Sequence, residues 1–255
     1  MRLRLAIWLF LTASRAWADE NSDQLTIIGV KEFTAAYQEW DAAGFGKAAK
    51  LFDQACRQAP ELGTNAYWQG VAEFHRLLYL LGTPEPQTNR SEAAKTLNTT
   101  IAALTRAVTL NERDAESHAL LGTVCGMSIA MSPPRALWLG PRVSKHQRKA
   151  LQYGPANPRV QYLLGMSHYH AGAFGGGKKE ALACLLKAEK LYAEEARNPA
   201  GPLEPRWGRG SCLAFIGKTY DALGQPANAE KYFRRALELN PQDRLARGEL
   251  EKRKP

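Results

Sequence analysis

The stretch that decides the fold is residues 210–243, which read GSCLAFIGKTYDALGQPANAEKYFRRALELNPQD. Small residues at Gly217 and Ala229 stand where two helices of one hairpin would cross closely, and Phe233 fills the space beside that crossing. Pro241 follows at the point where the second helix should end, because proline cannot continue an α-helix. The stretch therefore predicts two short helices joined by a tight turn.

The spacing within this stretch is that of a 34-residue repeat, L-G-x2-Y…A-x3-F…P. The matching residues are Ile216 with Gly217, Tyr220, Ala229, Phe233, Ala236 and Pro241. On these residues the stretch resembles the tetratricopeptide repeat (TPR) family. The resemblance implies an all-α fold, a right-handed α-solenoid of about five irregular TPR-like helix-turn-helix hairpins with a C-terminal capping helix. The hairpins must stack, because a single one cannot bury its own apolar face.

Degenerate copies of the pattern occur upstream. Leu-Gly pairs at 121–122 and 164–165 each predict the first helix of a hairpin, and Gly70 is a candidate crossing residue in an earlier one. The Gly-Pro pair at 140–141 predicts a turn. Residues 198–205 hold three prolines and predict a linker or a structured strap.

The N-terminus has the layout of a cleavable export signal. Two arginines precede the apolar run of residues 5–13, and small residues then lead to a cleavage point before Asp19. The run is shorter than the ~20 residues that a membrane-spanning helix needs. We therefore expect residues 1–18 to be a signal peptide and residues 19–255 to form a single TPR-like helical repeat domain. The mature protein would be periplasmic or secreted, with no transmembrane span; the alternative is a buried N-terminal helix.

Composition excludes the extreme classes of protein. The 255 residues are 45% apolar and 23% charged, which fits neither a disordered chain nor a membrane bundle. The formal net charge is +9, and loss of the three arginines in the predicted signal lowers it to +6. This modest excess favours acidic partners or an anionic membrane surface, or simply a soluble surface. Export argues against nucleic acid as a partner.

The predicted binding site is the concave groove, which in TPR proteins is lined by the first helix of each hairpin. In the fourth hairpin Leu164, Gly165 and His168 take the spacing of core residues. Recognition surfaces favour aromatic, methionine and arginine side chains, which contact much area at low entropy cost. In the alternative, Tyr162 and Met166 pack against residues 198–205. The predicted groove residues are Arg159, Tyr162, Met166, Tyr169, His170, Lys218 and Asp221.

The glycine-rich connection inside the fourth hairpin is a second candidate site. Residues 172–178 fit the G-x4-G-K start of a phosphate-binding loop, but Lys179 stands where Ser or Thr would bind Mg²⁺ and no strand precedes the loop. Nucleotide binding is therefore not expected. A plain hairpin turn is the simplest interpretation. The other is anion contact at a helix N-terminus, through Gly175, Gly176, Gly177 and Lys178.

A third candidate is a basic cluster that would lie on one helix. Its position suits an acidic partner or lipid headgroups, and a solvated helix surface is the alternative. The cluster consists of Arg135, Arg142, Lys145, His146, Arg148 and Lys149.

No motif predicts catalysis, a cofactor or a metal. His168 and His170 lie two apart on a helix, so they point to different faces and cannot chelate one metal together. No Cys-His or Ser-His-Asp set has the spacing of a nucleophilic site. Cys184 and Cys212 either form a disulfide between adjacent helices or remain buried free thiols.

The order of motifs in the second half is similar to that of exported bacterial TPR proteins, and more distantly to that of the T-component of TRAP transporters. The resemblance implies a non-catalytic exported scaffold that binds a protein or peptide partner of the cell envelope. The alternative is a periplasmic small-ligand-binding accessory protein of a transporter. The motifs are Asn157-Pro158-Arg159, Leu164-Gly165, residues 174–177, residues 181–188 and Trp207-Gly208.

Overall fold

The computed structural model describes residues 2–82, 88–171 and 177–253, and within these ranges it describes side chains from Glu20 onward, apart from that of Thr88. The described residues form eleven helices, a short 3₁₀ turn at Pro133–Arg135 and no strand. The helices are α1 (Arg2–Glu39), α2 (Ala42–Gln58), α3 (Gly63–Leu81), α4 (Thr88–Leu110), α5 (Ala115–Met131), α6 (Ala136–Tyr153), α7 (Pro158–Ala171), α8 (Lys178–Glu195), α9 (Arg209–Ala222), α10 (Pro226–Leu239) and α11 (Arg244–Glu251).

Consecutive helices pack against each other as hairpins. The most extensively packed pairs are α2 with α3, α3 with α4, α5 with α6, α7 with α8 and α9 with α10, and α11 packs against α10. The predicted all-α, TPR-like hairpin architecture with a C-terminal capping helix is confirmed. None of the described helices is both long enough and apolar enough to cross a membrane.

The chain divides into two compact units. The first comprises Met1–Ala36 and Asp41–Glu112, and the second comprises Tyr37–Trp40 and Arg113–Pro255. Each unit has its own buried apolar centre.

The first unit is centred on Trp68, which is almost fully buried. Phe52 stacks on the Trp68 ring at 5.9 Å, and the Phe33 ring meets its edge at 5.6 Å. Gly70 lies where α3 and α4 cross, because a Cβ there would stand 2.5 Å from Leu104. The crossing role predicted for Gly70 is therefore confirmed.

In the second unit, glycines also lie at the helix crossings of the last two hairpins. A Cβ at Gly165 would stand 2.6 Å from Leu185, and a Cβ at Gly217 would stand 2.7 Å from Phe233. Both partner side chains are fully buried. The glycines of the TPR pattern therefore lie where the paired helices touch.

The predicted turn at residues 140–141 is wrong, because Pro141 lies inside α6. The helix begins at Ala136, so Pro141 is in its second turn. There proline deprives only the carbonyl of Leu137 of its helical partner. Leu137 and Pro141 are both exposed, so water can bind that carbonyl instead.

Candidate functional site

Arg159 does not face a groove; it is 3% exposed and belongs to the core of the second unit. Its Nε donates to Glu116 at 2.7 Å, and its two terminal nitrogens donate to the carboxylate of Glu195 at 3.0 and 2.6 Å. A buried guanidinium is stable when its donors are paired in this way. The prediction for Arg159 is therefore wrong: the residue joins α5, α7 and α8.

Tyr162 and Met166 are also buried, at 3% and 6% exposure, so their predicted place on an open surface is wrong. The Tyr162 ring packs edge-on against Phe215 at 6.1 Å and also lies beside Gly208. Burial raises the pKa of Tyr162 well above its usual range. Helical spacing could not reveal this, because the ring is covered by α9, the first helix of the next hairpin.

Three other predicted residues do come together near the end of α7 and on α9. Tyr169 is half-buried, His170 is exposed, and Lys218 Nζ lies 5.3 Å from the centroid of the Tyr169 ring. Phe215 lies 6.0 Å from Tyr169 and 6.2 Å from His170 between ring centroids. Lys178 completes the group, with its Nζ 3.4 Å from the centroid of Tyr169. We call Tyr169, His170, Lys178, Phe215 and Lys218 the α7–α9 cluster.

The structure thus brings together residues that the sequence analysis assigned to two separate sites. Lys178 was predicted as an anion contact of the glycine-rich connection, whereas Tyr169 and Lys218 were predicted groove residues. The Lys178 ammonium group also donates to the backbone carbonyl of Tyr169, which holds it over the ring. Phe215 was not predicted, although it lies three residues before Lys218 on the same helix face, a spacing that could have revealed it.

The two lysines of the α7–α9 cluster repel each other, and carboxylates act on the cluster from further away: burial, Glu249 and Asp221 raise the pKa of Tyr169. Burial lowers the pKa of Lys178, and the neighbouring Lys218 lowers it further. Desolvation of its ring by neighbouring atoms, Lys218 and Lys178 likewise lower the pKa of His170. Within the described part of the chain no carboxylate forms an ion pair with Lys178 or Lys218. An anion bound between the two lysines would relieve this repulsion.

Asp221, the remaining predicted groove residue, is exposed, and its carboxylate forms an ion pair. Its carboxylate pairs with Arg253 at 2.5 Å, and the Arg253 guanidinium lies 5.0 Å from the centroid of the Phe233 ring. Asp221 therefore fastens the C-terminal end of the chain to α9. It forms no ion pair with the lysines of the α7–α9 cluster, although its charge helps to raise the pKa of Tyr169 after burial and Glu249.

The predicted anion contact through glycine amides is described only in part. Gly175 and Gly176 lie outside the described residues. Gly177 is the extended residue before α8, and its carbonyl accepts the first helical bond from the amide of Ala181 at 2.9 Å. A Cβ at Gly177 would meet the carboxylate of Glu180 at 2.5 Å, so a native acidic group lies at this helix start.

Histidines and cysteines do not form a metal site in the described part of the chain, which holds no group of three or more potential ligands. His118 and His146 are a buried pair with their Nδ1 atoms 2.8 Å apart, a contact that the sequence did not predict. The four cysteines are free thiols. Cys212 contacts the carbonyl of Leu185 at 3.6 Å, so the free-thiol alternative describes Cys184 and Cys212 here.

Two solved structures resemble the chain over most of its length. TTC0263, a thermophilic TPR protein in Thermus thermophilus, is 14% identical, with a TM-score of 0.63 over 91% of this chain and 97% of that one. The HusA haemophore from Porphyromonas gingivalis is 20% identical, with a TM-score of 0.62 over 79% and 94%. At these identities the likeness concerns the fold, and it defines a TPR-like helical-repeat protein.

The particular family is shown by the sequence itself. Residues 47–253 match the family described as Regulator of microtubule dynamics protein 1-3, and the chain belongs to that family. No curated protein sequence matches the chain.

Proposed function

We propose that this protein is a non-catalytic scaffold of the cell envelope that binds an acidic segment of a partner protein at the α7–α9 cluster. One observation carries the proposal: Lys178 and Lys218 lie over the Tyr169 ring without a carboxylate partner among the described residues. The location in the envelope rests on the signal-like N-terminal sequence alone.

The chemistry of the cluster suits a carboxylate next to an apolar or aromatic side chain. Two ammonium groups supply donors for the carboxylate, and hydrogen bonds to charged groups are among the stronger ones in proteins. Phe215 and Tyr169 supply a half-buried apolar surface beside those donors. Aromatic residues are enriched at recognition surfaces, and here two lysines flank them.

The family supports an interaction role rather than an enzymatic one. Its description concerns regulators of microtubule dynamics, and control of a protein polymer is an interaction between proteins. We transfer only that general role to this chain, and we assign the partner by its acidic chemistry.

The test is a selection of displayed peptides on the full chain, followed by affinity measurement. We expect peptides with Asp or Glu next to an aromatic residue to be enriched. The Lys178→Gln, Lys218→Gln double variant should lose affinity by at least about tenfold, because two charged hydrogen bonds are removed.

The matched control is Lys187→Gln with Lys190→Gln, two exposed lysines of α8 outside the cluster. It removes the same net charge and should bind as the wild type does. Equal losses in both double variants would reject the α7–α9 cluster as the site, because the effect would then be one of overall charge.

A second candidate is a small-ligand carrier, the accessory protein of a transporter. The fold shared with the HusA haemophore favours it, since that protein's name states a haem-binding role on the same architecture. The aromatic rings of Tyr169, His170 and Phe215 would be the surface that stacks on a planar ligand.

Haemin titration of the full chain separates the two candidates. A carrier should give a saturable shift of the haemin absorption band that is lost in His170→Ala. A scaffold that binds only peptides should give no saturable shift and should keep its peptide affinity in the presence of haemin.

A further inference from the structure

The corner between α5 and α6 exposes more large apolar surface than any other described segment of similar length. Leu137 is 86% exposed, Trp138 58% and Met131 41%. Pro133 and Pro134, in the turn between them, are exposed as well. Proteins rarely leave such a group uncovered without a binding role. We call these five residues the apolar corner.

A row of basic side chains continues from the apolar corner along the same helix. The face of α6 that packs inward carries Leu139, His146 and Ala150, all buried. The side of α6 next to this inward face carries Trp138 and, at helical spacing from it, three exposed cations. The cations are Arg142, Lys145 and Arg148. From Leu137 to Arg148 this face is about 17 Å long, at 1.5 Å per residue. We call it the basic face of α6.

The surroundings of the basic face hold little acid to neutralise it. The sequence contains no Asp or Glu between Glu116 and Glu180. Among the described helices, α6 packs only against α5 and α7, which fall in that region apart from Glu116 itself. The Glu116 carboxylate is already paired with Arg159 at 2.7 Å. The positive charge of the basic face is therefore available to a partner.

We propose that the apolar corner and the basic face of α6 form a docking surface for an anionic phospholipid membrane. Trp138, Leu137 and Met131 would enter the interfacial layer, while the cations of α6 contact lipid phosphates. Tryptophan is enriched at the membrane interface, and basic residues beside a small apolar group are typical of peripheral attachment.

A bilayer explains the arrangement better than a second protein does. The apolar residues occupy a corner that holds two prolines and lies at the end of the α5–α6 hairpin, rather than a recessed groove. The cations extend sideways from that corner along one helix face, as contact with a flat charged surface requires. This inference does not depend on the α7–α9 cluster.

The experiment is flotation of the full chain with vesicles of phosphatidylcholine alone, or of phosphatidylcholine mixed with phosphatidylglycerol. One variant reverses the three cations of the basic face, as Arg142→Glu, Lys145→Glu and Arg148→Glu. A second variant removes the apolar tip, as Leu137→Ser and Trp138→Ser.

A third variant is the charge-matched control. It reverses three exposed lysines of α8 and α10 that have no ion pair among the described residues. The changes are Lys187→Glu, Lys190→Glu and Lys231→Glu. All variants keep the apolar run of residues 5–13, so differences between them isolate the corner and the basic face.

We expect the wild type to bind the anionic vesicles more tightly than the neutral ones. Reversal of the three α6 cations should weaken anionic binding by at least on the order of 100-fold, because each basic residue near such a surface contributes roughly fivefold. The Leu137→Ser, Trp138→Ser variant should lose roughly tenfold or more. The control should lose far less.

Three results would overturn the proposal. The first is equal loss in the α6 variant and the charge-matched control. The second is unchanged vesicle binding after removal of Leu137 and Trp138. The third is a wild-type dimer in light scattering that becomes a monomer in the Leu137→Ser, Trp138→Ser variant while vesicle binding stays constant, since a second copy would then be the occupant of the corner.

Discussion

At the scale of single residues, Arg159 shows how a charged side chain serves the core of the second unit. It bridges Glu116 of α5 and Glu195 of α8 from its place on α7. Asn157 donates to the same Glu116 carboxylate at 2.7 Å, so the buried oxygens have several partners. The 34-residue TPR pattern has no position for such a network, so the network adds to the contacts that the pattern itself provides.

Replacing Arg159 should therefore be costly. We expect Arg159→Ala to lower the free energy of unfolding by about 3–5 kcal/mol, because two carboxylates lose their cation while they remain largely buried. Urea unfolding followed by circular dichroism measures the change. The comparison is Arg234→Ala, which removes an exposed pair with Glu230 and should cost less than about 1 kcal/mol. Equal costs would contradict the structural role of Arg159.

His75 makes the first unit sensitive to acid. Its ring is buried among Phe33, Phe45 and Phe74, and burial lowers its pKa from 6.5 to about 4. Between these two pH values the unfolded chain binds a proton that the folded chain does not. The contribution of His75 to the free energy of unfolding is therefore fully present above pH 6.5 and is lost as the pH falls towards 4.

We expect this loss to reach about 3 kcal/mol for His75, from a pKa difference of about 2.5 at 1.36 kcal/mol per unit. His75→Phe should remove that part of the acid dependence, because phenylalanine suits the aromatic surroundings and does not titrate. The measurement is the free energy of unfolding of both proteins at several pH values from 7 to 4. Parallel profiles over that interval would show that His75 is not responsible. (His146, with a pKa also lowered to about 4, is present in both proteins.)

At the scale of helices, close crossings set the geometry of each hairpin. Gly217 allows α9 to approach α10 so closely that a Cβ would stand 2.7 Å from Phe233 and 3.1 Å from the carbonyl of Ala229. The backbone atom cannot move without shifting α10. The crossing therefore depends on the missing side chain rather than on any attractive contact of the glycine.

We predict that Gly217→Ala lowers the free energy of unfolding by about 1–3 kcal/mol, through overpacking of the α9–α10 crossing. Gly126→Ala is the matched control, because Gly126 lies inside α5 with no atom within 4 Å of its Cβ position. That change should stabilise the protein by up to about 1 kcal/mol, since alanine favours helix over glycine. Thermal unfolding measures both changes: the melting temperature should fall in Gly217→Ala and rise in Gly126→Ala.

At the scale of the whole molecule, the open prediction is where the mature chain begins. The helix α1 runs from Arg2 to Glu39, and its later part is tied into the first unit. Ser22 donates to the carbonyl of Ala55 at 3.2 Å, and Thr26 donates to Asn65 at 2.7 Å. Removal of residues 1–18 leaves both contacts in place.

We propose that the protein is exported, that the mature chain starts at Asp19, and that it remains folded. Intact-mass measurement of protein recovered from the envelope fraction of the producing cell tests this. A recovered chain that still carries residues 5–13 would contradict the signal-peptide prediction. A chain that starts at Asp19 but has lost its helical circular dichroism would contradict the structural part.

Some features of the site were predictable from spacing along the chain. Tyr169, His170 and Lys218 are on the predicted helices, and Lys178 follows the glycine-rich connection as expected. Arg159, Tyr162 and Met166 were assigned to the same surface because they occupy the remaining positions of the same helix. Spacing identifies the faces of one helix, but it does not say which neighbouring helix covers a given face.

The sequence by itself determined the helical hairpins, their crossing glycines and the capping helix, because these depend on contacts between residues close in the chain. The tertiary structure alone decided that Arg159 belongs to the core, that Lys178 joins Tyr169 and Lys218, and that the α5–α6 corner is uncovered. Those outcomes depend on how successive hairpins stack. Stacking is set by the summed packing of many side chains distant in sequence, and no local pattern encodes that sum.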